Sequence, residues 1–461
     1  MIEEIWTADA AQLIPLQTSY ERAAGATGRG RSMNSPASRR KNEYLTHPLH
    51  KYKAKFFPRM ARALANHAVP GAGKVLDPFV GSGTLLLEGA LMGVPSWGLD
   101  IDPLSVLISR TKVAGLRVST GEFDAAAAAF NMTLTELEAR LGLDVAVDGE
   151  GYRIPEFLGR KMPERRGQIE AEVTAAQTAL GVVEAGTVKD LLRIALSHAV
   201  ATKISLRWMG TGDNRFSLAV AKRSISQILS SQLRKIRMAL VQRDDLLAAG
   251  SIAFENMANA TVATGDAREM DFAAETFEGI VTSPPYLPAS SGRETYLRSR
   301  APSLVAMGLL TENEILERDK SMIGSILRAP NGESTTLPAE VEALVEWMKP
   351  QRARAPKAVP TAIYFHDLAA SLKEMSRVLA PGGRLAMVLS TAHTFYNLRT
   401  RETVRTLNMP GVVSELIAEP QNEIPLRVDR VVEIELPKMD FAARPASRGS
   451  YSESIILASR A

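Results

Sequence analysis

"KVLDPFVGSGTLLLEGALMGVPSWGLDIDPLSVLISRTKV", residues 74–113, sets the architecture of this chain. "KVL" is a short apolar strand, and Gly81-Ser82-Gly83 a tight turn. "TLLLEGALMG" reads as a helix closed by Gly93. "SWGLD" is a second strand. Asp102-Pro103 then opens another helix, with aspartate at the N-cap and proline at the first helical position, where an N–H would go unpaired anyway. Strand, helix, strand, helix in this order is a βαβ unit and implies a parallel sheet.

Ligands of open α/β sheets sit at the carboxyl ends of the strands. The first strand ends at Asp77, and Gly81 and Gly83 let the backbone turn tightly while leaving room near the helix N-terminus. A carboxylate there suits a cation such as an ammonium or a sulfonium, and not a phosphate. A phosphate-binding loop needs Gly-Lys-Ser/Thr, whereas this string is Gly-Ser-Gly-Thr. Asp100 ends the second strand about 20 residues beyond the glycines, where an acidic side chain accepts from ribose hydroxyls. Asp102 is left to cap the next helix. Asp266, in "ATVATGDAREM" (260–270), stands at a third strand-to-loop junction. It is either an ordinary turn aspartate or an acceptor for an adenine amino group.

A second stretch, "FEGIVTSPPYLPAS" (277–290), runs from apolar residues into Ser283, Pro284, Pro285 and Tyr286. Proline lacks a backbone donor and fixes its own φ, so a Pro-Pro pair cannot continue a central strand. The chain leaves the sheet at Ser283, and leaves it stiffly. Such a turn is either punctuation or a cradle for a flat, hydrogen-bonding ring.

Composition narrows the classes. The chain has 461 residues, enough for one large domain with insertions or for two to three domains. No apolar run approaches the ~20 residues that span a bilayer. "MIEEIWTADAAQL" at the start is acidic and lacks the basic and apolar regions of a secretory signal, so a cytoplasmic location without a membrane partner is expected. Cysteine is absent, which excludes disulfides, thiolate metal sites and a cysteine nucleophile. The six histidines show no metal-ligand spacing, and no metal is expected. A net charge of +4 permits nucleic-acid binding without demonstrating it. The basic residues gather in "GRGRSMNSPASRRK" (28–41), in "AKRSISQILSSQLRKIRMALVQR" (221–243) and in "QRARAPK" (351–357). Each of these alone reads equally well as a solvated face.

The resulting organisation is a flexible basic N-terminal segment (1–45), a first α/β part (46–113), an Ala-rich helical insertion without clear strand alternation (114–260), and a second α/β part (261–461). The second part carries an irregular excursion at 287–360. "LAASLKEMSRVLAPGGRLAMVLS" (368–390) reads as helix, Pro-Gly-Gly turn and strand, and the tail from 411 to 461 as two or three strands.

Together, "DPFVGSGT", "GLDID", "GDA" and "TSPPY" resemble the S-adenosylmethionine-dependent methyltransferases that modify exocyclic amines in DNA, the Ser-Pro-Pro-Tyr form being most similar to the cytosine-N4 branch. "HPLHKYKAKFFPRMA" (47–61) resembles the segment that precedes the glycine motif in such enzymes and helps cover the methionine end of the cofactor. The resemblance covers about 46–113 and 262–400 and leaves out the helical insertion. It implies a Rossmann-like class I methyltransferase sheet and S-adenosylmethionine held by Asp77, Phe79, Gly81, Gly83, Thr84, Asp100, Ile101, Asp266 and Ala267. It further implies double-stranded DNA as partner, with room for a cognate restriction endonuclease. Ser283, Pro284, Pro285 and Tyr286 would then be the catalytic set. The Ser283 hydroxyl and Pro284 carbonyl would accept the two hydrogens of the target amine, and Tyr286 would stack on the extruded base. The missing cysteine excludes the covalent route to cytosine carbon 5. Adenine-N6 methylation, RNA methylation and a silent nucleic-acid-binding subunit are the rival readings. The insertion 114–260 is the candidate target-recognition region. Arg293, Arg298 and Arg300 are candidates for phosphate contact, and His47, His50, Lys51 and Lys55 for contact with cofactor or DNA.

Overall fold

The structure, a computed structural model, describes residues 44–52, 56–71, 73–141, 151–159, 162, 164–208, 216–287, 297–325, 328, 335–397, 399–400, 402–435 and 452–461. Most of the N-terminal segment, Arg293 and Lys55 lie outside the described residues.

After helix α1 (Pro58–Ala68) come β1 (Val75–Asp77), α2 (Thr84–Met92), β2 (Ser96–Asp100) and α3 (Pro103–Ala114), the βαβ unit expected from the sequence. Asp102 caps α3 by accepting from the Leu104 N–H at 2.9 Å, with Pro103 first in the helix. Gly83 is the left-handed N-cap of α2, and a Cβ on it would meet the Ser109 Cα at 2.8 Å, so this glycine permits the close approach of α2 and α3. Strands β5 (Ala260–Thr264), β6 (Phe277–Thr282) and β7 (Leu379–Ser390) extend the same sheet, which ends in β10 (Leu426–Glu435) and β11 (Ser452–Arg460).

The order is β5-β2-β1-β6-β7-β11-β10. All pairings from β5 to β7 are parallel, and β11 is antiparallel to both of its neighbours. Strand order reverses between β1 and β6, the switch point where such sheets bind ligands. Both faces of the sheet are covered, and the strands alternate accordingly. Leu385, Met387 and Leu389 of β7 enter one core with Ile280, whereas Ala386 and Val388 enter the other with Val281. The first core is closed by α9 (Ala339–Met348), α10 (Ala355–Val378) and α11 (Met409–Ala418), the second by α1 and α2. This is a Rossmann-like class I methyltransferase fold.

Between β2 and β5 the chain builds a lobe from α4 (Thr120–Leu141), α5 (Arg166–Ala179), α6 (Thr187–Lys203) and α7 (Ile225–Ala248). The lobe is not all helical. Strands β3 (Ile204–Trp208) and β4 (Phe216–Val220) pair antiparallel within it, a ribbon too short for its alternation to stand out between long helices. Its core is continuous with the sheet domain, because Leu104, Leu107 and Ile108 of α3 and Leu297, Leu304 and Leu310 of the excursion share it.

The tail departs from the all-strand expectation. Residues 411–418 belong to α11, capped by the Asn408 side chain accepting from the Gly411 N–H. Val412, Val413, Leu416 and Ile417 are all buried on that helix. Its valines invite a strand reading, but Asn408 followed by Pro410 is a helix-start signal. A short antiparallel pair, β8 (Ala392–Tyr396) and β9 (Thr403–Asn408), follows β7 directly.

Candidate active site

Strands β1, β2, β5 and β6 end along one edge, and a cavity of about 190 Å³ opens there. Asp77, Phe79, Gly81 and Thr84 line it from the first turn, Asp100 and Ile101 from the second, and Asp266 and Ala267 from the third. Ser283, Pro284, Pro285 and Tyr286 line it from the fourth. Of the cofactor and catalytic candidates in the sequence, Gly83 alone is absent from this lining, and its place against Ser109 accounts for it.

Asp77 is buried and accepts from the Phe79 N–H at 3.1 Å and from the Thr282 hydroxyl at 2.6 Å. Thr282 is the last residue of β6, so this bond joins the glycine turn to the Ser-Pro-Pro-Tyr turn. Burial pushes the Asp77 carboxyl up to about 7, against the downward pull of those two hydrogen bonds. Asp100 accepts from the Gly81 N–H and from the Asp102 N–H, each at 2.9 Å. Its acidity is weakened by burial first and then by the neighbouring Asp102 carboxylate.

Asp266 is forked by Arg268, Nε to Oδ1 at 2.9 Å and Nη2 to Oδ2 at 2.6 Å, and Oδ1 also accepts from the Arg268 N–H. Burial opposes its ionised form, but Arg268 more than compensates and holds the carboxyl below its ordinary value. Arg268 in turn reaches Asp367 at 2.8 Å. The arginine that lines the cavity is therefore ion-paired with Asp266 and with Asp367, the latter shared with Arg328.

The catalytic-turn candidates are clamped from behind. Tyr364 of α10 donates to the Pro285 carbonyl at 2.9 Å, and the Tyr286 hydroxyl donates to Glu453 Oε1 at 2.9 Å. Glu453, on β11, is only 8% exposed, and burial raises its pKa against the pull of that bond. Neither the Ser283 hydroxyl nor the Pro284 carbonyl has a hydrogen-bond partner among the described residues.

Within 47–61, the segment expected to cover the cofactor, Tyr52 and Phe56 reach the cavity, although neither stands out individually in the sequence. Tyr52 bonds Ser105 at 2.9 Å, and a Cβ on Gly81 would meet its hydroxyl at 3.1 Å. Ser321, Met322, Ile323 and Ser325 of the excursion also line the cavity, with Ser321 against Arg268, and carry no site signal in the sequence. Arg318 donates to the Ile101 carbonyl at 3.1 Å, fastening α8 (Glu312–Lys320) beside the cavity.

Four candidates for contact with substrate or cofactor serve the fold instead. Arg300 pairs with Asp102, donates to Ser105 and lies 4.2 Å from the Tyr52 ring centre. Arg298 pairs with Asp319 at 2.8 Å. His47 is buried against Glu88 at 2.7 Å, and His50 against Ser197 at 3.0 Å. Among the described residues no group of acidic or histidine side chains could hold a metal.

Comparison with known proteins agrees with this geometry. Residues 49–113 match the family described as "RMKL-like, methyltransferase domain". S-adenosylmethionine is the cofactor that this methyltransferase fold takes. The chain is 23% identical over 401 residues to the type II methyltransferase M.MvaI of Kocuria varians, covering 81% of each chain. It is 37% identical over 67 residues to the type II methyltransferase M.MjaII of Methanocaldococcus jannaschii, covering 14% of this chain and 13% of that one. A solved SAM-dependent methyltransferase from Methanosarcina mazei aligns with 86% of this chain and 96% of its own, at 10% identity and a TM-score of 0.29. No helix among the described residues is long and apolar enough to cross a membrane.

The cavity suits the cofactor on its own evidence. Three acidic strand ends, Asp77, Asp100 and Asp266, line it with no lysine among the lining residues, and the turn at Gly81 has a left-handed φ of 51° with Tyr52 close by.

Proposed function

We propose that this chain is a DNA methyltransferase acting on the exocyclic N4 of cytosine extruded from duplex DNA. The observation that carries the reading is the Thr282–Asp77 bond, which sets the Ser-Pro-Pro-Tyr turn and the glycine turn around one cavity. The type II methyltransferases M.MvaI and M.MjaII among the relatives support DNA as the substrate. The Ser-Pro-Pro-Tyr form supports cytosine N4.

When bound, the cofactor supplies a methyl group on a sulfonium. Asp77 would face the positive end of the cofactor, Asp100 its ribose hydroxyls and Asp266 its adenine amino group. Oδ2 of Asp266 keeps one lone pair beyond the Arg268 fork for that purpose.

An exocyclic amine is a poor nucleophile because its lone pair is delocalised into the ring. Acceptors at both of its hydrogens draw the nitrogen towards tetrahedral geometry and free that pair. The Ser283 hydroxyl and the Pro284 carbonyl would take this role, and the two prolines hold them without reorganisation. Tyr286 offers a ring face to the base.

Ser283→Ala should fold and bind cofactor but transfer methyl groups to duplex DNA about tenfold or more slowly. An unchanged rate in Ser283→Ala would remove this turn from the chemistry.

A further inference from the structure

Residues 349–357 and 397–405 lie far apart in sequence but meet in the structure. Their described residues hold six cations, Lys349, Arg352, Arg354, Lys357, Arg399 and Arg405, against one acid, Glu402, and of the six Lys349 is paired with Glu346 next to the first segment. That excess is larger than the +4 of the whole chain, so the remainder is close to neutral. The two segments are joined at Trp347. The Arg354 guanidinium lies 4.9 Å and the Arg405 guanidinium 5.5 Å from its ring centre. Arg354 donates to the Tyr396 carbonyl at 2.7 Å, and Arg405 to the Ala343 carbonyl at 3.1 Å. These acceptors are neutral, and among the described residues no carboxylate pairs with Arg352, Arg354, Arg399 or Arg405. Arg352 and Arg399 are exposed, and Tyr396, whose carbonyl Arg354 holds, is 46% exposed. Two guanidinium planes held on one indole, without a counter-charge, keep their charge for something outside the chain.

Their position says what. Strand β7 ends at Ser390, on the edge where the cavity opens, and β8 starts two residues later. Ser390 is in register with Glu453, which holds Tyr286. Helix α10 starts at Ala355, right after Arg354, and its Tyr364 holds Pro285. Ten residues of helix put Arg354 about 15 Å from Tyr364. On duplex DNA that is about four base pairs at ~3.4 Å each.

We infer that Arg352, Arg354, Arg399 and Arg405, with Tyr396, form the surface that grips the DNA backbone beside the extruded base. The duplex then lies across the carboxyl edge of the sheet, on the β8–β9 hairpin and the start of α10, and the helical lobe is not its main electrostatic contact. In the lobe Arg237 is already paired with Asp124 at 3.0 Å, while Arg234 bonds only the neutral Ser231 hydroxyl, so the lobe cations are the rival surface in the test. This inference rests on the DNA-methyltransferase reading.

The test measures anisotropy of a labelled duplex of about 30 base pairs, several times the span above, against salt concentration, for the wild-type chain and two triple variants. One carries Arg352→Gln, Arg399→Gln and Arg405→Gln. The other carries Lys222→Gln, Arg234→Gln and Lys235→Gln in the lobe. The first should bind about tenfold or more weakly, and its slope of log affinity against log salt should flatten by about 2 to 3, near 0.9 for each phosphate no longer neutralised. Lysines at the same three positions should restore most of the slope. Cofactor affinity by calorimetry should stay at the wild-type value and verifies folding. Wild-type affinity in the first variant, or a larger drop in the lobe variant, would overturn the assignment. A wild-type chain that binds RNA but not the duplex would overturn the DNA reading itself, and this surface with it.

Discussion

Tyr286 lines the cavity while its hydroxyl is held by Glu453, so the proposed base contact and a bond of the fold meet in one side chain. Tyr286→Ala should lose roughly 5- to 150-fold in methyl transfer, the equivalent of ~1–3 kcal/mol of stacking, with cofactor affinity intact. Tyr286→Phe keeps the ring but loses its bond to Glu453, and Glu453→Gln keeps an acceptor for the hydroxyl. Steady-state kinetics should therefore rank Glu453→Gln above Tyr286→Phe, and Tyr286→Phe above Tyr286→Ala. Equal rates for Tyr286→Phe and the wild type would make the Glu453 bond irrelevant to function. Asp77 gives a prediction in pH. Its carboxyl titrates at about 7 in the free protein, and a bound cation favours the ionised form. Cofactor affinity should rise by up to about tenfold per pH unit towards pH 7 and level off above it, with a proton released on binding below that point. Asp77→Asn should remove the share of the slope and of the released proton that Asp77 carries, and the rest belongs to Asp100, whose carboxyl is also raised to about 7. Calorimetry in two buffers of different ionisation enthalpy measures this, and a flat profile in the wild type would deny Asp77 its place beside the cation.

At the scale of elements, α2 follows the glycine turn and also anchors segment 44–50. Glu88, fully buried on α2, accepts from Tyr44, from His47 at 2.7 Å and from Arg62 of α1 at 2.7 Å. Burial works against its ionised form, yet Arg62 and those hydrogen bonds hold it down at about 2. Glu88→Ala leaves Arg62 buried with its main partner gone and should cost about 3–5 kcal/mol in urea unfolding. Breaking an exposed pair such as Lys320–Glu317 should leave the unfolding midpoint almost where it was. A cost below about 1 kcal/mol for Glu88→Ala, within the range of ordinary substitutions, would show that the cluster does not fasten segment 44–50. Elements with a local signature are legible in the sequence: the βαβ unit from its glycines and caps, and the exit from the sheet at Ser283 from Pro284-Pro285. Elements defined by distant partners are not. Glu453 reads as one polar residue in a terminal strand, and its meeting with Tyr286 spans 167 residues. His47 and His50 look chemical in sequence because their buried partners, Glu88 and Ser197, lie 41 and 147 residues away. Helix α11 is masked by β-branched residues whose strand preference the cap at Asn408 and the surrounding core override.

For the whole molecule, the sheet places four carboxyl-end turns around one cavity, and residues of the excursion and of segment 47–61 complete its lining. The lobe shares its core with α3, so a chain cut at 114 and 260 and rejoined should lose the lobe's support for α3, seen as a lower melting temperature and weaker cofactor binding. Intact cofactor affinity in such a deletion would separate the lobe from the sheet domain. The central claim is that the acceptors at Ser283 and Pro284 serve a cytosine amine in DNA. The most direct measurement incubates the purified chain with isotope-labelled S-adenosylmethionine and unmethylated duplex DNA, digests the product to nucleosides and identifies the labelled species by mass spectrometry. The account predicts labelled N4-methyldeoxycytidine, lost in Ser283→Ala; label in N6-methyldeoxyadenosine, or only in ribonucleosides when RNA is offered instead, would contradict it.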